Sequence, residues 1–311
     1  MCRYPFGSGG NLVINFLVLF DLISSIMIFF IKFVCSSFSA MTNDNFLNPK
    51  IIEDFLKPDI KQSIPCIQVF SEVGSTNDIM INERTLYPNG HTCFAERQNH
   101  GRGVSGKKWI AVENGIYLST SWTFEENINS LPVLNQILGI NLIITLIDYG
   151  FDGLSIQWPN DIVYNQKKLG GILIESKFTA NKEMYVVVGI GINLTLSDKN
   201  KKTIDRKSTS LYEVNNNVTL DNNKLCARTL ESIIHSLQSF ENHNYKNIVK
   251  EWENYDPTFN KNIQIHYNGE DIEIVNKGID LDGSLIGEYN NSSKTYKYNE
   301  SKIIKNEYYG F

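Results

Sequence analysis

Gln98-Asn99-His100-Gly101-Arg102-Gly103-Val104-Ser105-Gly106-Lys107-Lys108-Trp109 is the stretch from which the rest of the chain falls into order. Three glycines and three cations lie within the nine residues from Gly101 to Trp109. Glycine lets backbone approach a ligand closely and adopt positive φ. Arginine offers a two-pronged donor fork to a carboxylate or phosphate. Ahead of the loop, His91 to Glu96 predicts a strand. Behind it, Gly115 to Trp122 predicts another, with Ile116, Leu118 and Thr120 on one face and Tyr117, Ser119 and Ser121 on the other. A basic glycine loop between two strands is either a solvated turn or an anion-handling site. Its own residues do not choose between them.

The chain has 311 residues, 42% of them apolar, enough for one large or two modest domains with a full core. A net charge of −5 argues against general nucleic-acid binding. The five cysteines, Cys2, Cys35, Cys66, Cys93 and Cys226, form no CxxC pair, and the histidines show no ligand spacing. Neither a structural zinc site nor a disulfide framework is visible, so a reducing compartment, cytoplasmic or organellar, is expected for the body of the protein.

Residues 11–35 are apolar enough to span a bilayer, broken by Asn15, Asp21 and Ser24-Ser25 and closed by Lys32. Arg3 in front and small residues behind suit a targeting signal or anchor. The alternative is a mispredicted extension ahead of a start at Met41, where ordinary soluble sequence begins. Residues 1–45 are therefore set apart, and membrane contact is expected only if 11–35 is a real anchor.

Downstream, Ile67 to Phe70 predicts a short strand, and Ser75-Thr76-Asn77-Asp78 opens a helix to about Arg84, either as a plain cap or with hydroxyls facing a ligand. Leu131 to Tyr149 is a core helix ending at Gly150. Leu154 to Tyr164 predicts two strands separated by Pro159, which implies a bulge or an edge. The polar pair Asn160-Asp161 needs partners if buried. Asn165-Gln166 is a tight turn into a return strand, Lys168 to Glu175, so that Asp161 and Lys168 project from adjacent strands as a candidate acid/base and phosphate pair or as a salt bridge. Glu183 to Asn193 is a buried strand whose Gly189-x-Gly191 is weak as a dinucleotide motif, since no helix follows. Ser197–Lys207 reads as a mobile loop. Helices are expected at Ser208–Val214, Asp221–Phe240 and Tyr245–Tyr255. From Asn262 to Lys305, short alternating strands with turns at Asn268-Gly269, Asp282-Gly283 and Asn290-Asn291 predict a small β-barrel or sandwich.

Four segments in this order, Ser75-Thr76-Asn77, Gly101-Arg102-Gly103 to Trp109, Trp158-Pro159-Asn160-Asp161 to Gly171, and Gly189-x-Gly191-Ile192-Asn193, resemble the catalytic domain of biotin protein ligases (biotin–[acetyl-CoA-carboxylase] ligases). Glu251-Trp252-Glu253-x-x-Asp256 and the β-region after it look like that family's C-terminal part. The resemblance implies an α+β fold: a mixed, largely antiparallel sheet with packed helices, like class II aminoacyl-tRNA synthetases, over residues 60–256, then a small SH3-like β-barrel over 257–311. It implies an ATP-dependent ligase that forms biotinyl-5′-AMP and passes biotin to a lysine of a biotin carboxyl carrier domain of a carboxylase.

Site roles follow from the same resemblance. Ser75, Thr76, Asn77, Gln98 and Gly101 would meet the biotin ring, and the strand around Gly171 its apolar body. Arg102 and Lys168 would hold the biotin carboxylate and α-phosphate, with Asp161 as the third catalytic residue. Gly103, Lys107, Trp109, Asn160 and Asn193 would line the adenylate. No metal ligands are identified, and Mg²⁺ is expected with ATP. The segment before Ile67 is too short for a winged helix, so neither DNA binding nor a repressor role is expected; a homodimer is possible through the strand nearest the glycine loop. A lipoate or octanoate ligase of the same superfamily, or a non-catalytic biotin-binding protein, are the competing readings.

Three positions depart from the family pattern. Gln157 stands where a lysine is common, no late arginine is evident beyond Lys305, and Val104 replaces a second arginine. A charge-assisted hydrogen bond contributes roughly 1.5–3 kcal/mol. Val104→Arg should therefore slow release of a labelled adenylate by about tenfold or more. A wild-type chain that already retains it as tightly as the variant would remove the argument.

Overall fold

The computed structural model describes residues 46–82, 86–110, 112, 114–125, 131–204, 207–290, 292–298 and 300–304. The apolar segment within 1–45, the end of the helix expected to reach Arg84, Asn291 and Lys305 lie outside the described residues. The strands are β1 (Ile67–Phe70), β2 (Thr92–Ala95), β3 (Asn114–Phe124), β4 (Leu154–Gln157), β5 (Asp161–Tyr164), β6 (Lys167–Phe178), β7 (Met184–Thr195), β8 (Asn262–Tyr267), β9 (Glu270–Ile279), β10 (Leu285–Tyr289), β11 (Ser292–Tyr296) and β12 (Ser301–Ile303). The helices are α1 (Pro49–Phe55), α2 (Pro58–Lys61), α3 (Thr76–Asn82), α4 (Leu131–Asp148), α5 (Asp198–Thr203), α6 (Leu211–Val214), α7 (Asn222–Glu241), α8 (Lys246–Lys250) and α9 (Trp252–Tyr255).

The first seven strands form one mixed sheet in the order β1-β2-β3-β7-β6-β5-β4. Only β1 and β2 run parallel; the other neighbours are antiparallel. Strand periodicity gives this sheet two different faces. On β7, Val186, Val188, Ile190 and Ile192 join the main core, which α4 and α7 cover. The alternate residues Tyr185 and Val187 join a smaller cluster with Met80 and Cys93, under α3. Farther along that second face come Gly189 and Gly191. α4 is apolar and long enough to cross a membrane, but most of it is buried in this core, as its spacing predicted.

Several expectations are corrected. Pro159 does not bulge a strand: it sits in the turn joining β4 to β5, after a cis Trp158-Pro159 peptide, with Gln157 paired to Asp161 and β4 at the sheet edge. The expected mobile loop after β7 contains α5, whose Ser197/Asn200 capping box supplies the missing end partners. The single helix expected over Tyr245–Tyr255 divides at Glu251, where the backbone tightens to bond Ile248. Residues just before 60 are packed as well: Ile52 is fully buried and Lys57 N–H donates to Glu231 at 2.6 Å, tying α1 and α2 to α7. Cys93 and Cys226 are free and buried.

The last five strands form one antiparallel sheet, β11-β10-β9-β8-β12, which removes the sandwich alternative. Its turns use Asn268, Gly269, Gly283 and Asn290 at positive φ, where glycine and asparagine are least strained. Asp256 fastens this sheet to the helices before it. Its carboxylate accepts from Trp252 Nε1 (2.9 Å), Asn276 Nδ2 (2.8 Å), and the amide and hydroxyl of Thr258 (2.9 and 2.7 Å).

His91, at the start of β2, is 1% exposed. Its Nε2 meets Gln68 Oε1 at 3.2 Å, its ring stacks on Tyr87, and Nδ1 has no partner. Burial pushes its pKa down to about 4. Because the folded value lies below the unfolded one, near 6.5, acid favours the unfolded chain as pH falls from about 6.5 toward 4. By pH 5 this group should remove about 2 kcal/mol of the stability present at neutral pH. Urea midpoints at pH 7 and pH 5 should therefore diverge less for His91→Gln than for the wild type; equal divergence would show that His91 is not the sensor.

Candidate active site

The basic glycine stretch is a laced hairpin, not an open turn. Arg102 bridges Lys108, Gly103 N–H donates to Lys107 O at 2.7 Å, and Trp109 N–H donates to Gly101 O at 2.9 Å. A 3-10 turn at Val104–Gly106 closes the tip, with Gly106 at φ +72°. The amides of Asn99 and His100 donate to Val73 and Gly74, which holds the base of the loop against the entry to α3.

The loop covers a cleft of about 480 Å³ on the second face of the main sheet. Three glycines of β6 and β7 lie beneath it: Gly171 pairs with Gly191, and Leu173 with Gly189. A Cβ on Gly189 would stand 2.1 Å from Asn77 Oδ1, and one on Gly191 would stand 2.9 Å from the Trp109 ring. The missing side chains are what let Asn77 and Trp109 descend to the strands.

One end of the cleft is polar and buried. Gln98 Oε1 accepts from the Thr76 amide at 2.8 Å and lies 3.2 Å from its hydroxyl. Ser119 Oγ lies 2.8 Å from Thr76 Oγ1 and 2.5 Å from Asn77 Oδ1. Ser75, Thr76 and Asn77 are each less than 5% exposed. In the middle, Lys168 Nζ stands 2.5 Å from Asp161 Oδ1 and 4.9 Å from the Trp109 ring centre. Asp161 is nearly buried, so the pair is shielded from solvent. Asn160, one residue earlier, donates to Ile172 O at 2.7 Å. Arg102 pairs with Asp78 at 2.8 Å and with Glu175.

The far wall comes from the C-terminal sheet. His266 of β8, Tyr298 and Glu300 of the connection from β11 to β12, and Lys302 of β12 all line the cleft. Trp158 Nε1 donates to Gly283 O at 3.0 Å, and its ring meets Tyr298 edge-on.

Residues 55–193 match the model of the biotin/lipoate A/B protein ligase family. The bifunctional ligase/repressor BirA of Escherichia coli (strain K12) is 28% identical over 238 residues, 76% of this chain and 74% of its own. The biotin–[acetyl-CoA-carboxylase] ligase of Mycobacterium tuberculosis is 24% identical over 233 residues, 70% and 82% of the two chains. In fold, the chain is similar to the biotin protein ligase from Aquifex aeolicus in complex with biotin and ATP, with a TM-score of 0.65 at 23% identity over 77% of this chain and 99% of that one. Over these spans the chain is similar to biotin protein ligases in sequence and in fold.

Against the family pattern, the cleft brings together Ser75, Thr76, Asn77, Gln98, Arg102, Gly103, Lys107, Trp109, Asn160, Asp161, Lys168 and Gly171. Two expected site residues fall elsewhere. Asn193 is buried beyond the floor, its amide donating to Thr209 O at 3.0 Å, so it braces β7 against the segment before α6. Gly101 is buried at the loop base, where a Cβ would stand 2.7 Å from Trp109 O; it shapes the loop and does not line the cleft. Sequence reading missed Asp78, Glu175, His266, Tyr298 and Lys302. Glu175 closes a strand already recognised, and only the register with Val187, placing it on the cleft face, marks it.

Gly189→Ala tests the floor directly. The new methyl displaces Asn77, so affinity for a ligand at the polar end should fall about tenfold or more, the equivalent of one charged or well-buried hydrogen bond. Titration of biotin against the variant checks this, and unchanged affinity would show that Asn77 does not need its present place.

Proposed function

We propose that this chain is an ATP-dependent biotin protein ligase whose catalytic part spans residues 60–256 and whose small β-part, 257–311, completes the nucleotide end of the same cleft. The observation that carries the reading is one cleft holding a buried polar end, an arginine and a shielded lysine–carboxylate pair in line. That order suits a ring with hydrogen-bonding edges, a carboxylate tail and a phosphate.

In the first step, a biotin carboxylate oxygen attacks the α-phosphorus of ATP, the bond to the bridging oxygen breaks, and pyrophosphate leaves. Carboxylates are ionised at neutral pH, so no base is needed. What the step needs is positive charge where two anions meet, and Arg102 and Lys168 supply it. Magnesium enters with ATP as part of the substrate, carried by phosphate oxygens. Lys302 and His266 face the end where the polyphosphate and base would lie.

In the second step, a lysine amine of the acceptor attacks the acyl carbon, AMP leaves, and the amine loses a proton. An unperturbed lysine is mostly protonated, so an acceptor for that proton is useful. Asp161 takes this role: an anion arriving at Lys168 competes for the ammonium and leaves the carboxylate available. The acceptor is a biotin carboxyl carrier domain of a carboxylase. This assignment is supported by the acetyl-CoA-carboxylase named for the mycobacterial relative.

ATP–pyrophosphate exchange that requires biotin is the deciding measurement, and lipoate should not replace biotin in it. Lys168→Ala should lower exchange about tenfold to a hundredfold, as loss of a charge-assisted contact does. Asp161→Asn should slow transfer from supplied biotinyl-adenylate by about a hundredfold. Exchange supported by lipoate would replace the biotin assignment, and an Asp161→Asn chain transferring at full rate would remove the base.

A further inference from the structure

Glu175 lies outside the cleft lining yet touches two of the residues that face it. Its Oε2 accepts from Asn77 Nδ2 at 3.0 Å and from Arg102 Nη2. Resting on the biotin reading above, we propose that Glu175 is a positioning residue that fixes ring specificity and carboxylate recognition together.

The argument runs through hydrogen-bond polarity. An ionised carboxylate only accepts, and an amide side chain has one accepting and one donating end. Asn77 Nδ2 is held between Glu175 Oε2 and Leu173 O, which is 3.5 Å away. Both are acceptors, so the amide cannot invert without loss. Its Oδ1 is thereby directed over Gly189, in contact with the place a Cβ would occupy. That oxygen already accepts from Ser119 Oγ at 2.5 Å, and its second lone pair is the acceptor that the polar end of the cleft offers. That suits a ring bearing N–H groups, as a cyclic urea does, and gives nothing to a ring whose only heteroatoms are sulfur.

The same carboxylate orients Arg102. Guanidinium has five N–H groups in a rigid fork. Glu175 takes one on Nη2 and Asp78 takes Nε–H at 2.8 Å. The Nη1 side is left for the ligand's carboxylate. Glu175 therefore sets the distance and angle between ring recognition and tail recognition.

Glu175→Leu separates this from a plain salt bridge, because it removes the one oxygen that both donors share. Biotin and its uncharged alcohol, biotinol, are titrated calorimetrically into the full chain without ATP. Biotinol affinity should fall about tenfold, one hydrogen bond's equivalent, and biotin affinity at least as much. Glu175→Gln carries one amide oxygen that can take the place of Oε2 and keep both contacts, so it should recover most of the loss. Wild-type affinity of Glu175→Leu for either ligand overturns the proposal. So does wild-type affinity of Glu175→Asp, whose shorter side chain cannot reach both donors, a comparison that still holds where Glu175→Leu fails to fold. A wild-type chain that binds neither ligand overturns the biotin reading itself, and this inference with it.

Discussion

The site depends on an absence of side chains. Where β6 and β7 pass beneath the cleft, Gly171, Gly189 and Gly191 leave bare backbone on one face, while Ile172, Ile190 and Ile192 pack the core on the other. Strand alternation makes both possible in the same residues. The apolar face drives the sheet against α4 and α7, which stabilises the two long strands. Those strands then serve as a rigid plane onto which Asn77, Trp109 and Lys168 settle. A Cβ at Gly171 would stand 3.1 Å from both the Lys168 ammonium and the Trp109 ring. The floor therefore also sets how closely that lysine and that ring approach each other.

Charge is arranged around this floor in compensated groups. Lys168 has Asp161 beside it, and Arg102 is held between Asp78 and Glu175. A bare cation this close to a low-dielectric wall would be costly, and its orientation would be loose. Pairing fixes the geometry before a ligand arrives, at the expense of net positive potential. Arg102 and its two carboxylates together carry a negative charge. Lys107 and Lys108 on the loop, and Lys302 across the cleft, add the positive field that an incoming polyphosphate needs.

The main elements were legible in the sequence because they follow local rules. The apolar period of α4, the alternation of β3 and β7, and the Asn165-Gln166 turn are written in a few neighbouring residues. Gly189-x-Gly191 was legible as part of a buried strand, and period-2 geometry makes the two glycines successive residues on one strand face. The resemblance implied a nucleotide contact for Asn193; in the structure its side-chain amide is buried and tied to Thr209. Glu175, His266, Tyr298 and Lys302 could not be found locally. Their place in the site arises from strand register and from contacts with residues far away in the chain.

The C-terminal sheet shows how such distant contacts reach the chemistry. Trp158 belongs to the turn that carries Asn160 and Asp161, yet its indole N–H is satisfied by Gly283 of the other sheet. Gly283 approaches so closely that a Cβ there would stand 2.6 Å from Val133 N, at the start of α4. The Asp282-Gly283 turn is thus wedged between the first turn of a core helix and the ring of Trp158. Asp256, with four donors from both sides of the boundary, fixes the path of the chain into that sheet. Loosening this contact would free a buried indole N–H and, with it, the turn that aims Asp161 at Lys168. The small sheet therefore acts on the reacting centre in two ways: it supplies the far wall, and it braces the hairpin that holds the carboxylate.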